Sequence, residues 1–227
     1  MKKYLLIAAV ALFALPFASQ AQTGFSIGVY GGPVLSTVIA DNLLFGDNSA
    51  FKSKIGGTGG LQVLYGFGED GKVSANLGVG FTSKGWKSDV TNLPSGAVET
   101  VNGGLHYLDV PLNVRYLFDF GLFLEAGPTF SFLMGANYDG ESEYDAVENG
   151  SATKKPYTDL YNSTDVGAGG GAGYMHSKGF GAVVRYTRGL TNIASDMMPR
   201  ENPNEEATLA NGCTSLTFFY LLGYQDK

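Results

Sequence analysis

The chain has 227 residues, with 15 Lys and Arg against 21 Asp and Glu and a formal net charge of −6. That balance argues against a nucleic-acid binder, whose phosphate contacts need clustered Lys and Arg. A single cysteine, Cys213, excludes an intramolecular disulfide, and after residue 21 no run of about 18 apolar residues offers a membrane-spanning helix.

The first element in chain order is a secretory signal peptide. Lys2 and Lys3 are its charged region, Tyr4 to Ala18 its uncharged apolar run, and Ser19-Gln20-Ala21 its small-residue cleavage site. The alternative, an uncleaved anchor, would need about 20 apolar residues. Cleavage after Ala21 leaves residues 22–227 as the mature domain. It also takes the net charge from −6 to −8, because the leader carries two lysines and no acid. All 33 glycines fall in the mature part, about 16% of it against a usual ~7%. Mean hydropathy is near zero, so a membrane protein of this composition must alternate its apolar residues, as transmembrane barrels do.

Eight alternating segments follow. The first is Phe25 to Leu35 and the second Thr58 to Phe67. In the third, Val73 to Lys84, the residues Val73, Ala75, Leu77, Val79 and Phe81 oppose Ser74, Asn76, Gly78, Gly80 and Thr82. The fourth, His106 to Phe118, sets Leu108, Val110, Leu112, Val114 and Tyr116 against Tyr107, Asp109, Pro111, Asn113 and Arg115. The fifth is Leu122 to Met134, the sixth the Gly/Ala-rich Asp165 to Met175, the seventh Phe180 to Leu190 and the eighth Thr214 to Tyr224. Links after the second, fourth and sixth are short: Gly68-Glu69-Asp70-Gly71, Asp119-Phe120-Gly121 and His176-Ser177-Lys178-Gly179. Links after the other strands are long and polar, roughly 36–57, 87–104, 135–164 and 191–213. Short turns at one end and long loops at the other predict an all-β fold, an eight-stranded antiparallel up-and-down transmembrane β-barrel. A β-sandwich or soluble lipocalin-like barrel is the alternative, but such folds bury the apolar face inward.

The apolar faces then meet outer-membrane lipid, and the polar faces fill a lumen that eight strands leave just wide enough for side chains. If Asp119-Phe120-Gly121 is a three-residue turn, Arg115 faces Glu125 inside the barrel and the two form a cross-strand ion pair. Asp109 and Arg185 are further candidates for this lumen charge network. Phe25, Phe67, Tyr116, Phe118, Phe180 and Tyr224 suit an aromatic belt at the turn side, and Phe81, Trp86, Phe132 and Tyr186 one at the loop side.

Tyr107-Leu108-Asp109-Val110-Pro111-Leu112 and Leu124-Glu125-Ala126-Gly127-Pro128 resemble the central hairpin of the outer-membrane β-barrel domain family, often labelled porin-family or PorT-like. Arg185-Tyr186, followed by Gly189-Leu190-Thr191-Asn192-Ile193, resembles its seventh-strand motif. The resemblance implies a barrel in the outer membrane of a Gram-negative cell envelope, and little about activity. One departure is that Gln225-Asp226-Lys227 follow Tyr224, where signals for the outer-membrane insertion machinery often end in an aromatic.

Motifs for chemistry are weak. Gly24-Phe25-Ser26-Ile27-Gly28 has G-x-S-x-G spacing but lies in a continuing strand, without the turn and helix of a nucleophile elbow. The glycines of Gly167 to Gly173 precede no helix, so a dinucleotide loop is not expected. Asp139, Glu141, Glu143 and Asp145 alternate in the third long loop without the pattern of a helix–loop–helix calcium site; loose divalent binding by 139–148 is the alternative to a solvated loop. His106 and His176 fall at opposite barrel ends. No catalytic residue, cofactor or metal is assigned. The leading reading is a structural or surface-interaction barrel whose four long loops contact an extracellular or envelope protein, with Leu43, Leu44, Phe45, Met197 and Met198 as candidate contact sites. The alternatives are a small-solute porin or transporter and a lipid-modifying barrel enzyme.

Overall fold

Residues that alternate apolar and small polar side chains give a strand one face for lipid and one for an interior. A ring of such strands leaves no unpaired edge in hydrocarbon. The computed structural model describes residues 24–41, 51–68, 71–91, 98–148, 151–198 and 206–224. The expected signal peptide and the Leu43-Leu44-Phe45 cluster lie outside the described residues. Eight antiparallel strands close into one barrel. They are β1 (Phe25–Asp41), β2 (Phe51–Phe67), β3 (Val73–Thr91), β4 (Val98–Leu117), β5 (Leu122–Tyr138), β8 (Thr164–Met175), β9 (Phe180–Gly189) and β10 (Thr208–Leu222). Each pairs with its chain neighbour in the barrel, and β1 closes the ring against β10. The remaining two strands, β6 (Glu143–Glu148) and β7 (Ser151–Pro156), form a separate hairpin outside the ring.

The tight turns all lie at the end that also holds both ends of the barrel strand sequence. Gly121 N donates to Phe118 O at 2.9 Å and Gly179 N to His176 O at 2.8 Å. Gly121 and Gly179 have φ of +88° and +84°, which a side chain would strain. The opposite end differs from the sequence expectation. β1 runs on to Asp41, β2 starts at Phe51, β3 reaches Thr91 and β4 starts at Val98, so the first two long links are much shorter than 36–57 and 87–104. A transmembrane strand needs only about 9–11 residues; the excess stands above the bilayer, where polar residues pair as strands without an apolar face to announce them. The third link is no structureless loop: it carries β6, β7 and a short 3-10 helix, Tyr157–Leu160. The β8–β9 side stays low, with strands of 12 and 10 residues.

Lipid-facing positions include Leu77, Val79, Phe81, Leu124, Phe130, Phe132, Tyr186 and Tyr220, all well exposed. Two belt assignments are corrected. Trp86 points inward, 8% exposed, with its ring edge-on to Phe51 at 5.0 Å. It shares the parity of Ser74 and Asn76 and not that of Phe81. Tyr224 packs against the internal cluster at the turn end. Since Trp86 is the sole tryptophan, brominated acyl chains are expected to leave the intrinsic tryptophan fluorescence of reconstituted protein unquenched. Strong quenching would put Trp86 on the lipid face.

Candidate functional site

The interior is built in layers. At the turn end Leu64, Phe123, Met175, Val183, Phe219 and Leu221 form a buried apolar floor. Above it the central side chains are charged. Glu125 faces Arg115 in the β4–β5 register. Arg115 Nε and Nη2 donate to Glu125 Oε2 at 3.1 and 2.8 Å, and Arg185 Nη2 donates to Glu125 Oε1. One carboxylate therefore serves two guanidiniums, in a place where Arg115 is 1% exposed. The Arg115 guanidinium also lies 3.9 Å over the Phe123 ring, which joins this layer to the floor.

The Gly-rich β8 makes this possible. Gly171 pairs with Arg185, and a Cβ on Gly171 would stand 3.2 Å from the Arg185 Cβ. A Cβ on Gly173 would strike the Phe123 ring. The small residues of β8 are thus the space that the bulky residues of β5 and β9 occupy, and the stretch continues as strand with no phosphate loop.

Asp109 takes its partner outside the Glu125 cluster. Lys84 Nζ donates to Asp109 Oδ1 at 3.2 Å and to Ser131 Oγ at 3.0 Å, one layer above the Glu125 cluster. Sequence reading missed Lys84, although it closes the predicted third strand on the same polar parity as Thr82. A cavity of about 60 Å³ lies here, lined by Tyr30, Thr82, Lys84, Asp109, Arg185 and Cys213 among others. It has room for a few waters and not for a solute. Higher still, Asp165 accepts from Asn211 Nδ2 at 2.8 Å and from Thr191 Oγ1 at 3.0 Å.

An apolar lid covers the loop end. Val38, Trp86, Leu105, Tyr107, Ala136, Ile193, Met198 and Leu209 are buried together, with Leu160 and Tyr161 packed against them. The segment 191–195 acts as a strap between Leu160–Asn162 and β10. Ile193 N donates to Leu209 O and Asn162 N to Ile193 O, both at 2.8 Å. Asn192 Oδ1 accepts from Ala194 N at 3.0 Å and Leu209 N at 2.9 Å, and its Nδ2 donates to Ala207 O at 2.8 Å. Ile193 is fully buried. The residues of the seventh-strand motif, Thr191-Asn192-Ile193, are therefore the ones that fasten this lid. Burial pushes the Tyr161 hydroxyl up to about 12 while its side-chain hydrogen bond with Trp86 opposes the shift. Met197 is exposed at 58%, whereas Met198 is buried in the lid at 7%. Of that expected contact pair, only Met197 faces outward.

The other candidates sit apart. His106 Nε2 meets Asn137 Nδ2 at 2.9 Å at the loop end. His176 lies in a turn at the other end, stacked on Phe180 with ring centroids 4.5 Å apart. Ser26 is a buried interior hydroxyl of β1. The Asp139 carboxylate accepts from Asn102 N at 2.7 Å, and among the described residues no three His, Cys, Asp or Glu groups converge as metal ligands.

Residues 17–195 match the model of the outer membrane protein beta-barrel domain family. The chain belongs to that family. As a member of the outer membrane protein beta-barrel domain family it is an integral protein of the outer membrane, set in that membrane's lipid. Several solved outer-membrane barrels are similar to the chain. Ail, the attachment invasion locus protein of Yersinia pestis, is 14% identical, with a TM-score of 0.43 over 88% of this chain and 100% of its own. Neisserial surface protein A is 13% identical, with a TM-score of 0.45 over 87% and 98%. OprG from Pseudomonas aeruginosa is 15% identical, with a TM-score of 0.41 over 88% and 97%. No curated protein matches the sequence.

Proposed function

We propose that this protein is a sealed outer-membrane barrel with a structural and surface-interaction role, carried by its external segments, and with no enzymatic chemistry of its own. The observation behind this reading is the filled lumen. An apolar floor, a charged middle and a strapped lid succeed one another, and the cavity between them is about 60 Å³. Eight-stranded barrels filled by side chains conduct no bulk solute, which argues against the small-solute porin. The separation of His106 from His176 argues against a lipid-modifying acid–base set. What is left for partners is the outer face: the β6–β7 hairpin, the tall ends of β1–β5 and Met197. An extracellular or neighbouring envelope protein is the partner class this surface suits, and the insertion machinery is the partner needed during assembly.

Two measurements test the reading together. Purified protein in planar bilayers is expected to give no conductance steps. On intact cells a membrane-impermeant amine reagent is expected to label Lys154 of the hairpin and to spare Lys178 of the tight turn, both of which are exposed. Discrete channel openings, or labelling of Lys178 in place of Lys154, would overturn it.

A further inference from the structure

The lipid-facing residues set the height of the bilayer. On β1 this face runs from Phe25 to Leu35, which is about 33 Å of strand and about 25 Å of height at a tilt of about 40°. That equals the ~25 Å apolar band of outer-membrane barrels. Leu35 pairs with Thr214, and Thr214 with Tyr186. At that tilt a partner row descends about 3 Å per strand from β1 through β10 to β9, so Tyr186 lies about 6 Å below Leu35 and Arg188, two residues further on, comes level with the top of the band. Two residues higher on the same face, Thr37, Gly212 and Arg188 are cross-strand partners in one row.

Arg188 is exposed on this row. The ion pairs Lys52–Asp89, Lys72–Asp119, Lys84–Asp109 and the two to Glu125 do not involve Arg188. At the edge of hydrocarbon a long cationic side chain reaches headgroup height at little cost, and guanidinium suits phosphate through paired N–H donors. Beside it the surface is hollowed. A Cβ on Gly212 would stand 3.7 Å from Thr37 Cγ2, 3.8 Å from Tyr186 Oη and 3.9 Å from Ile39 Cδ1. The glycine therefore leaves a recess floored by backbone and walled by a phenol hydroxyl, a threonine and an isoleucine. We propose that this recess seats a phosphate of an outer-leaflet lipid headgroup, gripped by Arg188 and the Tyr186 hydroxyl, with the acyl chains descending along Tyr186 and Leu35.

The test is native mass spectrometry of the detergent-purified mature barrel, incubated with bisphosphorylated or dephosphorylated lipid A. Wild-type protein is expected to retain the bisphosphorylated form about tenfold more strongly. Arg188→Gln should bring retention down to the dephosphorylated level, and Arg188→Lys should restore part of it. Gly212→Val fills the recess, so it should also abolish the preference, and it carries the test if Arg188→Gln does not fold. Heat-dependent gel mobility identifies folded barrels throughout. Retention indifferent to phosphate, or unchanged in Arg188→Gln and Gly212→Val, would reduce the recess to unspecific lipid contact and overturn the proposal. Displacement of the lipid by inorganic phosphate would overturn its assignment to a headgroup.

Discussion

Glu125→Ala is expected to destabilise the barrel by about 3–5 kcal/mol, the usual cost of leaving buried charge without its partner. The carboxylate is buried between Arg115 and Arg185 and is the acceptor for both, so its loss strands two guanidiniums at once. Arg115→Ala should cost less, about 1–3 kcal/mol, because Glu125 keeps Arg185 and what is lost is the two Arg115 hydrogen bonds to its Oε2 and the stack on Phe123. The order, with the carboxylate variant weaker than the arginine variant, is the discriminating result. Urea unfolding in lipid vesicles, or the temperature at which the folded band disappears on a gel, reads it. Midpoints equal to wild type for both variants would mean that the cluster bears no weight.

The second large effect is expected at the lid. Ile193→Asp puts a carboxylate into a fully buried apolar site, at a cost of about 3 kcal/mol or more. The loss should be local, since the strap's backbone bonds run to Leu160, Asn162 and Leu209 while the barrel wall below is complete. Limited proteolysis of reconstituted protein should therefore cut the segments around 157–162 and 191–198 about a hundredfold faster, that being the opening population such an energy buys, with the heat-resistant folded band kept. Loss of that band instead would mean that lid and barrel fold as one unit. Protease resistance equal to wild type would mean that the lid is not what protects these segments.

How much of this was readable beforehand follows from which solvent each face meets. Strands in hydrocarbon must alternate strictly, so β3, β4 and β5 were legible, and a turn as short as Asp119-Phe120-Gly121 fixed the meeting of Arg115 and Glu125. Where the same strands rise into water, the alternation carries no apolar signal. The extensions of β1–β4 and the β6–β7 hairpin were accordingly read as loops. Trp86 was misplaced for a related reason: an aromatic near an interface suits a belt, and only parity counted from Val73 assigns it inward. The strap was present in the sequence as a motif without a role. Its hydrogen bonds to β10 and to the 3-10 segment join residues about 15 to 36 positions apart, and no local periodicity encodes such distances. Lys84 was in view on the right face, but its partnership with Asp109 depends on the β3–β4 register, which no short turn pins.

The unequal heights of the wall have a consequence for traffic at the cell surface. Five neighbouring strands, β1 to β5, stand 17 to 20 residues long, while β8 and β9 have 12 and 10. A macromolecule drifting along the membrane would thus meet strands that stand taller along β1 to β5 than along β8 and β9. A partner that docked on Met197, exposed on the segment after β9, would therefore have its orientation set by the taller wall of β1 to β5.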